Sequence, residues 1–151
     1  MTLISTILAG CAVAPPGHFT QLQAPDRFTP CPASPNCVSS QADAGSARHV
    51  APLAHDTSAG QARTALLDVL RDSDNAEVVT DEHGFIHAIF RTTVGFVDDV
   101  GFIIHPHENF IDVKSASRAG YYDFGVNRRR VERLRKRFKR RLAATDQRSD
   151  G

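Results

Sequence analysis

The sequence has no tryptophan, one methionine and two tyrosines in 151 residues. That poverty argues against a surface that stacks nucleic-acid bases, so nucleic acid is not an expected partner. No G-x-x-x-x-G-K-[ST], G-x-G-x-x-G or G-x-S-x-G stretch occurs, which removes the phosphate-cradling loops and the nucleophile elbow. Long apolar runs are missing too. The one near the N-terminus, Leu3 to Gly10, is far short of the ~20 residues that a membrane-spanning helix needs. Charge of one sign is scarce only locally: the net of +1 hides a segregation. Arg128 to Arg141 holds ten Lys or Arg and one acid, Glu132, leaving eight basic and sixteen acidic residues elsewhere. An acidic body with a basic C-terminal helix is expected.

Cysteine is sparse, with three in the chain, and each sits in an informative place. The apolar run closes on Leu8-Ala9-Gly10-Cys11, which resembles the lipobox of bacterial lipoproteins. That resemblance implies a diacylglyceryl group on Cys11, a cell-envelope location facing the periplasm, and a membrane-anchored protein. Residues 1–11 then form a lipoprotein signal segment. Residues 12–30, with Pro15, Pro16, Gly17 and Pro25, read as a tether, 31–145 as a single domain and 146–151 as a disordered tail. Cys31 and Cys37 lie in CPASPNC, a tight loop where an oxidising compartment favours a disulfide. A competing reading joins Cys31, Cys37, His49 and His55 as zinc ligands, although both spacers depart from the usual ones. The disulfide is favoured, with no metal and no cofactor.

His49 to His55 reads as a short strand weakened by Pro52. Ser58-x-x-Gln61 is a capping box, followed by Ala62, Leu66, Val69 and Leu70 at helical spacing, so a helix is expected over Ala59 to Asp72. Four strands follow: Glu77–Thr80, Phe85–Thr93, Phe96–His105 and Phe110–Ser117, the later ones alternating apolar and polar. Val131, Leu134, Phe138 and Leu142 then mark the apolar stripe of the basic helix. The order β-α-β-β-β-β-α implies an α+β fold, a curved and mostly antiparallel sheet with two helices on one face, similar to TBP-like or helix-grip folds. His105 and His107, flanking Pro106, read as surface residues of a turn.

The densest chemistry lies in VKSASRAGYYDFGVNRRR, Val113 to Arg130. Asn127 is placed to N-cap the last helix, with Arg128, Arg129 and Arg130 at its first three positions. Each cation at a positive helix end costs about 0.3–1 kcal/mol, so negative charge should lie close by. Asp98, Asp99 and Asp123 are the candidates. Asp98 falls on a strand face otherwise made of Phe96, Val100, Phe102 and Ile104, and a carboxylate there must be paired. Three readings stand: a buried ion-pair and capping network of Asp98, Asp99, Arg118, Asp123 and Asn127; an anion pocket of Ser115, Ser117, Arg118 and the helix start around Arg128; or acid–base chemistry. For the last, Asp98 is the best catalytic guess with Arg118 orienting substrate, but neighbours on a strand face opposite ways and make a poor carboxylate pair.

CPASPNCVSS, the FVDDV strand and SASRAGYYDFGVNRRRVERLR, in this order, resemble the family called domain of unknown function 1499, over Cys31 to Leu142. That resemblance implies bacterial envelope lipoproteins or plastid lumen proteins, with no assigned biochemical activity. The chain departs from the pattern at Gly101, where an acid often follows Asp98-Asp99-Val100, at Lys114, where an arginine stands, and at Tyr122, usually small or polar. The function expected is a non-enzymatic, lipid-anchored binding module for an amphipathic or anionic small molecule or an envelope partner. The basic helix, Arg128 to Arg141, is a further contact for anionic lipid, and the alternative is an envelope enzyme using Asp98.

Overall fold

In a computed structural model the described residues are 22–149. Cys11, the apolar run before it and most of the tether lie outside them. The chain forms β1 (Leu22–Ala24), β2 (Arg27–Phe28), β3 (Cys37–Ser39), β4 (Leu53–Ala54), α1 (Ala59–Arg71), β5 (Ala76–Glu82), β6 (Phe85–Arg91), β7 (Val97–Ile104), β8 (Phe110–Ser117) and α2 (Val126–Ser149). This is the α+β class in the anticipated order, with β5 to β8 running between the two helices. The main sheet has the order β3-β8-β7-β6-β5, antiparallel throughout, and β4 pairs with the start of β8.

Three segments depart from expectation. Leu22 to Phe28, read as tether, is a small hairpin whose Phe28 is buried, so an apolar anchor prevails over Pro25. The strand expected over 49–55 shrinks to β4 because Pro52 supplies no ladder donor; His49 adds one isolated bridge to Ser39. Residues 146–149, read as part of a disordered tail, instead continue helix α2 to Ser149.

Helix α1 starts as its sequence dictates. The Ser58 hydroxyl accepts from the Gln61 N–H and the Gln61 side chain reaches back to the Ser58 N–H. Such a cap is worth about 1 kcal/mol. Ala62, Leu66, Val69 and Leu70 meet the Val131, Leu134 and Phe138 stripe of α2, and both helices cover the sheet face made by Ile86, Ala88, Phe90, Val100, Phe102, Ile111 and Val113. The β5–β6 turn needs two left-handed residues, His83 and Gly84 at φ 51° and 80°. A Cβ on Gly84 would lie a tight 3.1 Å from the Ile104 carbonyl oxygen, so any side chain there would be strained.

Candidate functional site

The residues singled out from sequence converge where β7 and β8 meet the start of α2. Period-2 alternation turns Asp98, Ser115 and Ser117 towards the helices and Asp99 to the opposite sheet face. The site therefore has two compartments, each organised by one carboxylate and one arginine.

On the helix side, Asp98 is 3% exposed and takes a hydrogen bond from Arg130 Nη2. Arg130 Nη1 donates to Asn127 Oδ1 at 2.7 Å and to Ser115 Oγ at 3.1 Å, and its guanidinium lies 5.1 Å from the Phe90 ring centroid. Burial lowers the Arg130 pKa from its usual value, while the Asp98 charge opposes that fall. Asn127 sits at the junction. Its Oδ1 also accepts from the Ser115 hydroxyl at 2.6 Å, and its Nδ2 is shared between Ser117 Oγ, Asp123 Oδ2 and the Asn36 carbonyl.

Asn127 is thus not the N-cap. Helix α2 begins at Val126, Asn127 is fully buried inside its first turn, and Asp123 does the capping, its carboxylate accepting from the Gly125 and Asn127 N–H groups at 2.9 Å each. Burial would raise the Asp123 carboxyl, but those backbone donors and the Asn127 side chain hold it below the usual value. An aspartate at this point also supplies the negative charge that the arginine-rich helix start requires. Arg128 and Arg129 donate to the Ala47 and Phe124 carbonyls, so neither has an acid partner among the described residues.

On the opposite face, Asp99 is fully buried and forked by Arg118, whose Nε and Nη2 donate to its two oxygens at 2.7 and 2.8 Å. His87 Nε2 donates to the same carboxylate at 2.7 Å. Burial alone would raise the Asp99 pKa; the hydrogen bonds and charges of Arg118 and His87 overcome it and leave it lowered. The Asp99 hydrogen bond in turn raises Arg118, whose side chain is 28% exposed.

Sequence reasoning missed several members of this second compartment. His87 reaches Asp99 diagonally, since its direct partner across the ladder is Gly101. Alternation along β6 puts His87 on the face opposite Ile86 and Ala88, but the register decides its neighbour. Lys114, on this same face, is fully buried with no carboxylate partner among the described residues; its amine donates to the Thr29 carbonyl at 2.7 Å and lies 3.2 Å from the Thr29 hydroxyl, and burial lowers its pKa to about 8. His105, expected at the surface, is a part-buried partner of Asp112, which also binds Ser40 and Gln41. Asn36 ties the Cys31–Cys37 loop to Gly120.

The two cysteines form a disulfide with Cα atoms 5.7 Å apart. Their sulfurs are therefore not thiolate ligands, and the zinc grouping fails. His49 and His55 instead pair through Nδ1 with the Ala42 and Thr57 carbonyls. Among the described residues no group of three or more His, Cys, Asp or Glu could hold a metal ion, and no described helix is long and apolar enough to cross a membrane. A cavity of about 790 Å³ lies apart from both carboxylates, between His55–Gln61 and the Lys139–Asp146 stretch of α2.

The arrangement is built for fixed charge pairing. Ser115, Ser117, Asn127 and Arg130 are buried against one another, so an external anion would have to displace Asn127 to reach the two hydroxyls. No curated protein matches the chain, and no solved structure does. A family model described as a protein of unknown function, DUF1499, matches residues 27–138, which span β2 through most of α2 and hold every charged pair above. With well over half of its length matched, the chain belongs to the DUF1499 family.

Proposed function

We propose that this is a lipid-anchored cell-envelope protein, held at Cys11 and facing the periplasm, that works by binding rather than by catalysis. What carries the reading is the state of the two carboxylates. Asp98 and Asp99 lie on opposite sheet faces, are almost wholly buried, and are each bound to a guanidinium. A general acid or base must reach the proton that it moves, and neither carboxylate presents an open oxygen to substrate. The disulfide supports an oxidising compartment.

The ligand is an amphipathic or anionic molecule, or an envelope partner with such a surface. Its charge would meet the sheet end where Arg118 is partly open and Arg128 and Arg129 have no acid partner among the described residues. Its apolar part would meet the exposed Tyr121, Tyr122 and Phe124. The basic helix continues this cationic surface towards anionic lipid.

Two measurements test the reading. Labelled fatty acid should enter the chain exported in bacteria, and Cys11→Ser should abolish the label; a label that persists, or never appears, removes the anchor. Native mass spectrometry of the same exported chain should show adduct mass that denaturation removes. A bare mass together with turnover of an envelope metabolite that Asp98→Asn abolishes in a folded, ligand-binding variant would establish the enzyme instead.

A further inference from the structure

The loop between β8 and α2 places apolar side chains where water should reject them. Phe124 is 85% exposed, and Tyr121 and Tyr122, in edge contact at 5.1 Å, are each more than 60% exposed. Phe96 and Val94, both more than half exposed, lie in the β6–β7 turn at the same end of the sheet, since the Arg118 N–H donates to the Val97 carbonyl. An exposed apolar group of this size marks a contact surface.

The loop is also rigidly framed. Asn36 Nδ2 donates to the Gly120 carbonyl at 2.6 Å, and the Asp123 carboxylate fixes Gly125 and Asn127 on the other side. Between these clamps Phe124 sits at φ 52°, a left-handed conformation that bulky residues rarely adopt. A strained backbone that holds a phenyl ring out in water persists only because its surroundings over-determine it. Beside the ring the charge is positive: Arg129 Nη1 donates to the Phe124 carbonyl at 2.8 Å. Arg129, Arg133, Lys136 and Arg140 follow one another at spacings of four, three and four along one face of α2. The ion pairs of α2 among the described residues use Arg130, Arg135 and Arg141, so this stripe keeps its charge.

We infer that the Tyr121–Phe124 loop inserts into the interfacial layer of an anionic lipid bilayer, with Arg129 and the stripe behind it held at the headgroups. Tyrosine and phenylalanine beside arginine suit that layer, where rings meet acyl chains and guanidinium groups meet phosphate. The reach of the chain agrees. Leu22 lies eleven residue steps after Cys11, at most about 40 Å extended. Its hairpin is tied through Gln41 to Asp112, and from Asp112 to the aromatic end at Ser117 is only about 17 Å along β8. An anchored domain can therefore turn this end to the membrane. The inference rests on the membrane placement proposed above and identifies the surface that makes the contact.

The test uses the full chain carrying Cys11→Ser, so that no acyl chain contributes, and Phe124→Trp, which makes the only tryptophan of the protein a reporter at the loop tip. Vesicles are either pure phosphatidylcholine or a mixture with one-third phosphatidylglycerol. The tryptophan emission should move to the blue and be quenched by bromine-labelled acyl chains with the anionic vesicles alone. In the chain that keeps Phe124, Arg129→Glu with Arg133→Glu should weaken partition into anionic vesicles about tenfold or more. Tyr121→Ser with Phe124→Asn, polar replacements at exposed positions, should do the same while circular dichroism stays unchanged. The leader segment is the same in every variant, so the difference between the parent and the loop or arginine variants isolates the loop and its arginines. Bound chain with unshifted, unquenched emission, equal binding to both vesicles, or a blue shift without lipid caused by self-association would each overturn the inference. Fatty-acid labelling of Cys11 separates the two failures: a labelled chain whose loop ignores vesicles loses this inference and keeps its anchor.

Discussion

Arg130 carries a full charge into the core because Asp98, Asn127, Ser115 and the Phe90 ring all meet it there. Removing Asp98 leaves a desolvated cation whose remaining contacts, Asn127, Ser115 and the Phe90 ring, are all neutral. Asp98→Ala should therefore destabilise the fold by about 3–5 kcal/mol, read by urea denaturation. Asp98→Val combined with Arg130→Met removes both charges together and should recover much of that loss; a double variant as unstable as the single would show that the ion pair itself stabilises. Lys114 is the contrasting case, a buried amine that meets Thr29 and, among the described residues, no carboxylate. Its folded pKa of about 8 lies below the 10.5 of the free side chain, so the unfolded chain binds the extra proton between those values. Stability should rise with pH across that window, and the cost is present in full below pH 8. Lys114→Met should add on the order of 3 kcal/mol at neutral pH and flatten the rise. A flat profile in the parent chain would remove the argument.

At the scale of elements, the disulfide and α2 fix how the sheet is closed. The Cys31–Cys37 loop carries Asn36, which binds Gly120 and, through its carbonyl, Asn127, so one covalent staple positions the entry to α2. Cys31→Ala with Cys37→Ala should cost about 2 kcal/mol. It should also loosen the Tyr121–Phe124 loop before the core, visible as faster amide exchange at Gly125 and Asn127 than at Val100. Further along, Arg137 and Arg141 reach Ser73, Asp72 and Asp68, so part of the basic face that looked free in the sequence fastens α2 to the end of α1.

Elements whose local signal matched their tertiary role were legible. Alternation from Phe110 to Ser117 placed β8 at its observed bounds, and the capping box placed the start of α1. The β1–β2 hairpin was not legible, because its stability comes from Phe28 packing and the Gln41 contacts rather than from periodicity. At the site, Asp98, Asp99, Arg118, Asp123 and Asn127 could be gathered from their spacing alone. Which arginine meets which aspartate, and the part taken by His87, depended on a register that no residue announces.

Across the whole molecule, an acidic body faces a basic helix, and both buried and surface carboxylates join them: Asp98 takes Arg130, while Asp68 and Asp72 take Arg141. Asp99 and Asp123 both have folded pKa values below the 3.8 of a free aspartate. Such groups add stability that is complete above 3.8 and is lost as pH falls through 3.8 towards the folded values, because the unfolded chain takes up protons first. Acid then acts twice: it removes the acceptors that hold Arg118 and cap α2, and it leaves the cations of that helix to repel one another. Denaturation midpoints should therefore be level from pH 6 to 5 and fall steeply below about pH 4. Asp99→Asn should lower the plateau and flatten the acid limb, since its proton uptake is gone. A variant that keeps the parent's full acid slope would show that surface carboxylates, and not this buried fork, carry the pH dependence.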